Sequence, residues 1–166
     1  VYAPTLSATS DTKDEFYENL SSTIRNIPNA EQLILLGDFN ARPSCLGSFG
    51  VGRLIENGQR LLELCALHNL CITNSFFKTK PQHKVSWRHP HSKHWHQLDL
   101  IVVRRAAIKN ILHTRSYCNA DCDTDHSLVC CKIRLQPKRF HSAKKPGTSC
   151  IDVSKMTQLD LVEQFA

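Results

Sequence analysis

The stretch Leu33-Ile34-Leu35-Leu36-Gly37-Asp38-Phe39-Asn40 decides the fold of this chain. Its four consecutive apolar residues, closed by a glycine, are typical of a buried β-strand. Asp38 and Asn40 follow on the predicted exit loop. Residues just past a buried strand reach solvent from a rigid base, which is where catalytic groups commonly lie.

A second polar segment, Thr124-Asp125-His126-Ser127, precedes another apolar run that begins at Leu128. It places a carboxylate and an imidazole at the start of a predicted strand. A third apolar run, from Leu98 to Val103, is also predicted to be a buried strand, and Asp99 is the one charged residue within it. Two strand ends that carry acid, amide and imidazole groups indicate one shared site.

The remaining elements predict a mixed α/β (α+β) layered fold. Thr12 and Glu15 form a capping-box pattern, which predicts a helix that stops at Pro28. Asn57 is predicted to cap a second helix over 58–68. Further strands are predicted at 1–4, 70–73, 112–117 and 127–135. A turn-rich loop is predicted over 43–52, a basic linker over 137–150 and a tail over 151–166, where another helix could begin.

The 166 residues are enough for one domain with a real core. No apolar stretch is long enough to span a membrane, and nothing resembles a secretory signal, which predicts a nuclear or cytoplasmic protein that is not secreted. The chain opens at Val1 and its only methionine is Met156, which indicates either a processed product or a piece of a longer protein, and we favour the piece. The sequence leaves the oligomeric state open.

Positive charge is concentrated in the second half of the chain. Residues 1–75 carry a net charge of −3, residues 76–150 of +11 and residues 151–166 of −2. The stretch 78–97 contains five histidines, Trp87 and Trp95, and no acid. This distribution predicts a polyanionic partner. The alternative is a solvated basic face with no partner.

The eight cysteines are scattered and several lie in apolar runs, which favours reduced, mostly buried thiols. Neighbouring Cys130 and Cys131 would point to opposite faces of a strand. A zinc site built from Cys118, Cys122, His126 and the histidines of 78–97 is a weaker alternative, since no Cys-x-x-Cys pair is present.

The polar residues of the two strand ends fit phosphate chemistry. Asp38 could orient and deprotonate a water while the Asn40 amide donates to a phosphate oxygen. Asp125 offers a hard oxygen ligand for Mg²⁺ beside the His126 imidazole. A buried Asp99 needs a partner, either His126 or Arg104, Arg105 and backbone N–H groups.

Five motifs in order resemble the endonuclease/exonuclease/phosphatase family. They are Tyr2-Ala3-Pro4, Leu36 to Asn40, Ser86-Trp87, Leu98 to Ile101 and Thr124 to Ser127. The segments 47–52, 56–58 and 60–62 resemble the endonuclease domains of RTE-type (BovB-like) retrotransposons, and 152–155 resembles the start of a connector toward a reverse transcriptase. The resemblance implies a four-layer α/β sandwich, N-terminally truncated, in which residues 1–136 form the C-terminal portion of the domain.

The resemblance also implies residue roles in phosphodiester cleavage that depends on Mg²⁺ or Mn²⁺. Tyr2 would contact the phosphate, Asp38 would activate the water and Asn40 would position it. Asp99 would orient His126, which would stabilise the transition-state charge, and Asp125 would help to hold the metal.

Nucleic-acid contact in this resemblance falls to the basic stretch, with DNA as the expected partner. The residues expected to contact it are Trp87, Lys84, Arg88 and Lys93. The family's main metal-binding glutamate and an asparagine precede the first residue of this sequence, so the metal site is expected to be incomplete.

Three hypotheses follow. The first is a retroelement-derived nuclease domain, and the second is a non-catalytic module that binds nucleic acid or chromatin. The third is a phosphatase for phospholipid or sugar phosphate, which the basic half of the chain disfavours.

Overall fold

A computed structural model describes residues 1–42, 55–117 and 124–135 of the chain. These residues form two α-helices and seven β-strands, which confirms the predicted mixed α/β class. In chain order they are α1 (Ser10–Arg25), β1 (Ile34–Asp38), α2 (Glu56–Leu67), β2 (Leu70–Ile72), β3 (Trp87–Arg88), β4 (Trp95–His96), β5 (Asp99–Arg104), β6 (Ile111–Tyr117) and β7 (Leu128–Ile133). Short 3₁₀ turns lie at Thr73–Ser75, Pro81–His83 and Arg105–Asn110.

The central sheet has the strand order β1-β5-β2, with β5 antiparallel to both neighbours. Its register pairs Leu36 with Ile101 and Asp38 with Asp99. Successive strand residues face opposite sides of a sheet, so both faces of β5 are available for packing. The run of four buried residues after Asp99 shows that both faces are covered.

Both helices cover one face of this sheet. Leu100 and Val102 of β5 join a buried cluster with Tyr17 and Ile24 of α1 and Leu61 of α2. The apolar residues of α1 recur every three or four positions, which brings them onto one side of the helix. A polar network ties the two helices together: the buried Lys13 pairs with Glu56 at 2.9 Å, and Arg60 pairs with Asp14 at 2.7 Å.

The antiparallel pair β6–β7 covers the other face. Ile101 and Val103 of β5 pack there with Ile111, and Val129 and Ile133 of β7 complete the cluster. This second layer also contains a buried polar link: the Thr114 hydroxyl donates to the Thr73 hydroxyl at 2.9 Å, and Thr73 donates to the Ile101 carbonyl at 3.1 Å.

Residues 1–3 lie along β1. The Val1 amino group donates to the Leu36 carbonyl at 2.8 Å, and the Ala3 N–H donates to the Asp38 carbonyl at 2.9 Å. A Cβ at Gly37 would overlap the Val1 carbonyl, and the φ of Gly37 is +154°, so only glycine allows this close approach. The strand predicted over 1–4 is a single bridge from Tyr2 to Asp38.

Three local predictions need correction. The N-cap of α1 is Thr9, whose side chain accepts the Thr12 N–H, so the helix begins before the predicted Thr12–Glu15 box. Asn57 does not cap α2, because Ile55 holds the cap position without a side-chain bond and Asn57 lies inside the helix. Asp38 is the last residue of β1 and not part of the exit loop, because its pairing with β5 extends through Gly37.

Several predictions fall on residues outside the described ranges. They are the loop over 43–52, the cysteines at 45, 118, 122 and 150, and the segments 137–150 and 151–166, so the predicted domain boundaries stay predictions. The four cysteines within the described ranges, Cys65, Cys71, Cys130 and Cys131, are free thiols. In residues 1–42, 55–117 and 124–135, no helix is long and apolar enough to cross a membrane.

The cap of α1 gives a direct test of the fold. We expect Thr9→Ala to lower the free energy of unfolding by about 1 kcal/mol, because it removes the acceptor for an otherwise unpaired N–H group. Thr12→Ala is the matched control and should cost less, since its backbone N–H remains available. Urea denaturation of the three proteins measures both values, and an equal or larger loss for Thr12→Ala would contradict the assignment.

Candidate active site

Two carboxylates meet at one end of the central sheet. Asp38 ends β1, Asp99 begins β5, and the two are direct register partners. Side chains of such partners lie on the same face of a sheet, so the carboxylates are neighbours. Burial raises the pKa of Asp38, the Asn40 N–H bond lowers it, and the nearby negative charge of Asp99 raises it further, with a net shift upward.

Asn40 is fixed by a tight turn directly after β1. Its backbone N–H donates to Asp38 Oδ1 at 2.8 Å, and its side-chain amide donates to the Ala3 carbonyl at 2.9 Å. Its φ of +44° lies in the left-handed region that asparagine tolerates better than most residues. These two bonds hold the amide beside the Asp38 carboxylate.

Tyr2 lies on the other side of Asp38. Its backbone forms a parallel bridge to Asp38, and its side chain is 70% exposed. The phenol therefore reaches solvent from a residue that is bridged to Asp38, where a bound molecule could contact it.

His126 comes from a distant part of the chain and meets Asp99. Its Nδ1 lies 2.9 Å from Asp99 Oδ2, with side chains 35% and 23% exposed respectively. This contact answers which partner Asp99 uses, because Arg104 instead donates to the Ile27 and Glu31 carbonyls and to Asn29 Oδ1. A carboxylate at Nδ1 fixes the ring orientation and leaves Nε2 as the nitrogen that can act on a ligand.

Asp125 is held in place by β3. Its carboxylate accepts the Trp87 indole N–H at 2.6 Å, and its backbone carbonyl accepts the Arg88 N–H at 3.0 Å. Trp87 and His126 also form an antiparallel bridge. The segment that carries Asp125 and His126 is thus paired with β3.

The predicted nucleic-acid contacts lie on or near the β3–β4 ribbon. Arg88 and Lys93 are exposed, and Lys93 has a φ of +57° in the turn between the two strands. The Arg88 guanidinium lies 5.8 Å from the centre of the exposed Trp95 ring. Lys84 lies just before the ribbon, at the end of the Pro81–His83 turn.

Sequence reasoning missed four residues that hold or border this site. Asn74 donates to the Asp99 carbonyl at 3.2 Å and accepts the Ile101 N–H at 2.9 Å. Asn57 donates to the carbonyls of Pro4 and Asn40 at 2.8 and 3.2 Å. The Ser86 hydroxyl accepts the backbone N–H groups of Leu98 and Asp99. Ser86 lies within a family motif, but the sequence predicted no role for it. The sequence gives little sign of these roles, because the hydrogen-bond partners of these polar residues are distant in the chain.

Arg42 is the fourth of these residues. It follows the Asn40 turn, and its Nε is buried without a hydrogen-bond partner among the described residues. Its positive charge lowers the pKa of His96 on the ribbon, after the larger effect of burial. An unpaired buried guanidinium nitrogen beside the site is a natural donor to an anion.

The donor set suits a hard cation only in part. Asp38, Asp99 and Asp125 supply carboxylate oxygens, which Mg²⁺ prefers, and Mg²⁺ commonly takes one or two of them together with waters and substrate phosphate. Within the described residues no group of three or more His, Cys, Asp or Glu side chains could hold a metal ion. The chemistry fits, but these residues alone do not form a closed metal centre, and the zinc site has no support among them.

A groove of about 660 Å³ between α1 and α2 contains none of the predicted site residues. Its lining side chains include Tyr17, whose hydroxyl donates to the Asn57 carbonyl, and the paired Arg60 and Asp14. The predicted site residues Asp38 and Asp99 lie instead at the ends of β1 and β5.

The fold is that of the endonuclease/exonuclease/phosphatase class. A family model described as endonuclease-reverse transcriptase matches residues 1–130, so the chain belongs to this family. The predicted family is confirmed by this match.

Curated relatives include craniofacial development protein 2 from Bos taurus and from Tragulus javanicus. The chain is 32% identical to the first over 152 residues and 31% identical to the second over 160 residues. These alignments cover 88% and 92% of the chain but only 26% and 28% of the relatives. The chain thus spans about a quarter of the length of the curated relatives it matches.

A solved structure with the same fold is the endonuclease domain of TRAS1, a telomere-specific non-LTR retrotransposon. The TM-score is 0.58 at 19% identity, and the alignment covers 75% of this chain and 52% of that domain. This likeness supports the fold alone.

The raised pKa of Asp38 predicts a stability effect of definite sign. The pKa of Asp38 in the folded protein exceeds the ordinary value of 3.8. The group therefore adds to the free energy of unfolding at pH values below its ordinary pKa, and this contribution is lost as the pH rises through the folded pKa. Asp38→Asn keeps an oxygen to accept the Asn40 N–H but carries no charge. We expect it to be more stable than wild type at neutral pH.

Urea denaturation from about pH 3 to about pH 7 measures this difference. Asp14→Asn is the matched control with the opposite sign, because the hydrogen bond from Arg60 lowers the pKa of Asp14. A stability difference between Asp38→Asn and wild type that does not change with pH would contradict the assignment.

Proposed function

We propose that this domain hydrolyses phosphodiester bonds in nucleic acid, with DNA as substrate and a divalent cation, Mg²⁺ or Mn²⁺, as cofactor. The observation that carries the proposal is the contact of 2.9 Å between His126 and Asp99, next to the register partner Asp38. Two buried or half-buried carboxylates at one strand end are unfavourable for stability, since like charges directly opposite one another repel. Such an arrangement is typical of functional sites.

We assign Asp38 the role of general base, which activates the attacking water. Burial raises its pKa, which makes the carboxylate a stronger base than an exposed aspartate. Asn40, held by Ala3 and Asp38, positions the water or a phosphate oxygen beside it. Tyr2 contacts the same phosphate through its exposed hydroxyl.

His126 stabilises the charge that develops on the phosphate in the transition state. Asp99 holds its Nδ1, so Nε2 donates to a non-bridging oxygen. Arg42, which follows the Asn40 turn, is a further cation that could act on a bound anion, because its buried Nε has no hydrogen-bond partner among the described residues.

We assign Asp125 the role of binding the divalent cation. One of its oxygens accepts the Trp87 N–H, and the other is the proposed metal ligand. When bound, the cation would polarise the phosphate and offset its negative charge.

The substrate class follows from the β3–β4 ribbon and its surroundings. Residues 76–150 carry a net charge of +11, and Arg88, Lys93 and Trp95 are exposed together on the ribbon. Basic side chains close to an exposed aromatic ring suit the phosphates and bases of nucleic acid. The same surface supports the alternative function, a module that binds nucleic acid or chromatin without cleaving it.

A plasmid-nicking assay separates the two functions. In the presence of Mg²⁺ we expect the full chain to relax supercoiled plasmid and EDTA to stop the reaction. His126→Ala, Asp38→Asn and Asp99→Asn should each lower the rate roughly 10²- to 10⁴-fold, because each removes an acid–base or charge-stabilising group.

His113→Ala is the matched control, since this imidazole lies on β6 and packs against Phe77 away from the site. It should cleave at the wild-type rate. If wild type and all variants bind plasmid equally and none cleaves it above background, the binding module is supported and the enzyme is not.

The ribbon makes a separate prediction about binding. Lys84→Gln, Arg88→Gln and Lys93→Gln should each weaken binding to a labelled duplex and reduce the slope of log K against log salt by roughly 1, because each variant neutralises one phosphate fewer. Fluorescence anisotropy over a range of salt concentrations measures the slope. Lys109→Gln, an exposed lysine of the Arg105–Asn110 turn, is the control of equal charge change. Slopes that match this control would exclude the ribbon as the contact surface.

A further inference from the structure

We propose that the dipeptide Ser86-Trp87 is the positioning unit of this site, with Ser86 fixing the Asp99 segment and the Trp87 indole N–H aiming the Asp125 carboxylate. The two segments are far apart in the chain, and this dipeptide bonds to both. The kinetic consequences rest on the proposed function, but the geometry can be tested without catalysis.

Ser86 holds the start of β5. Its hydroxyl is fully buried and accepts two backbone N–H groups, from Leu98 at 3.1 Å and from Asp99 at 3.0 Å. Its own N–H donates to the His96 carbonyl at 2.8 Å, which anchors it to β4. One side chain thus fixes the backbone of Asp99 to the ribbon.

The same dipeptide holds the segment 125–127. The Ser127 N–H donates to the Ser86 carbonyl at 2.6 Å, and the next hydrogen bond along this pairing joins the Arg88 N–H to the Asp125 carbonyl at 3.0 Å. Between them, Trp87 bridges to His126 and its indole donates to Asp125 Oδ2 at 2.6 Å. A carboxylate is a strong acceptor for such an N–H group.

Trp87 is not simply a core residue. It belongs to neither hydrophobic cluster of the described residues, and it is only partly buried. The rings packed around it are imidazoles: His89 at 5.3 Å, His96 at 5.7 Å in a stacked arrangement, and His126 at 6.4 Å between ring centres. A tryptophan surrounded by polar rings, with its N–H on a carboxylate, is placed to orient that carboxylate.

The function of such a bond follows from the chemistry of metal ligands. A carboxylate that binds a cation is usually held by a hydrogen bond from a neighbour, and loss of that neighbour weakens metal affinity or activity. Trp87 occupies Oδ2 of Asp125, so the cation would be taken by Oδ1. Trp87 is therefore a positioning residue, and its N–H is committed to Asp125 and not to the substrate.

The geometry is tested by the indole N–H signals in ¹H–¹⁵N NMR. The sequence has only two tryptophans, so Trp95 is an internal reference. We expect the Trp87 signal to lie downfield of Trp95, and Asp125→Asn to move it upfield while the Trp95 signal stays in place. Titration with Mg²⁺ alone should shift the Trp87 signal and not the Trp95 signal. Two signals that respond alike to both changes would overturn the proposal, whether or not the chain cleaves nucleic acid.

Kinetics then tests whether the bond matters for the reaction. Trp87→Phe keeps the ring and removes the N–H, so we expect a roughly 10- to 100-fold rise in the Mg²⁺ concentration needed for half-maximal rate, with KM for nucleic acid unchanged. In the double variant Trp87→Phe/Asp125→Asn, the effects of the two substitutions on this Mg²⁺ concentration should not add. In Trp95→Phe/Asp125→Asn they should add. Additive effects of Trp87→Phe and Asp125→Asn would show a structural role only. If the Trp87→Phe protein does not fold, the Asp125→Asn NMR result still decides the matter.

Discussion

The pairing of β1 with β5 is the constraint on which the rest of the structure depends. Side chains alternate between faces along a strand, so a slip of one residue would turn Asp38 toward the helices and away from Asp99. The register is held by apolar packing on both faces, by Leu100 and Val102 beneath the helices and by Ile101 and Val103 beneath β6–β7. The apolar core therefore determines where the two carboxylates meet.

The unfavourable free energy of placing Asp38 beside Asp99 is offset by neighbouring groups. Burial and the neighbouring Asp99 both disfavour a charged Asp38, as the upward shift of its pKa shows. The Asn40 N–H bond to Asp38 and the imidazole beside Asp99 act in the opposite direction. Each carboxylate thus has one partner from outside the central sheet: Asn40 for Asp38 and His126 for Asp99. These two hydrogen bonds, together with backbone pairing, hold the Asn40 turn and the His126 segment in place.

How much of this could be predicted from the sequence depended on whether the signal was local. Apolar runs indicated β1 and β5 because strand burial is visible in consecutive residues, and the spacing of apolar residues indicated α1. The two-residue strands β3 and β4 have no such pattern, since their pairing depends on Ser86 and His96 meeting in space. Asn57 was misassigned for the same reason: its partners, Pro4 and Asn40, are distant in sequence. Residue chemistry alone left the partner of Asp99 open between His126 and arginine, and only the family resemblance pointed to His126.

The distribution of charge follows from the same register. Asp99 alternates with Leu100 along β5, so the two carboxylates lie on the side of the sheet that carries β6–β7, opposite the helices. The acids of α1 and α2, among them Asp14 and Glu56, lie on the other side and are partly neutralised by Lys13 and Arg60. The sheet therefore lies between the two site carboxylates and the acids of the helices. Because screening weakens charge effects over about 10 Å at moderate salt, this separation by a layer of sheet reduces the repulsion from the helices.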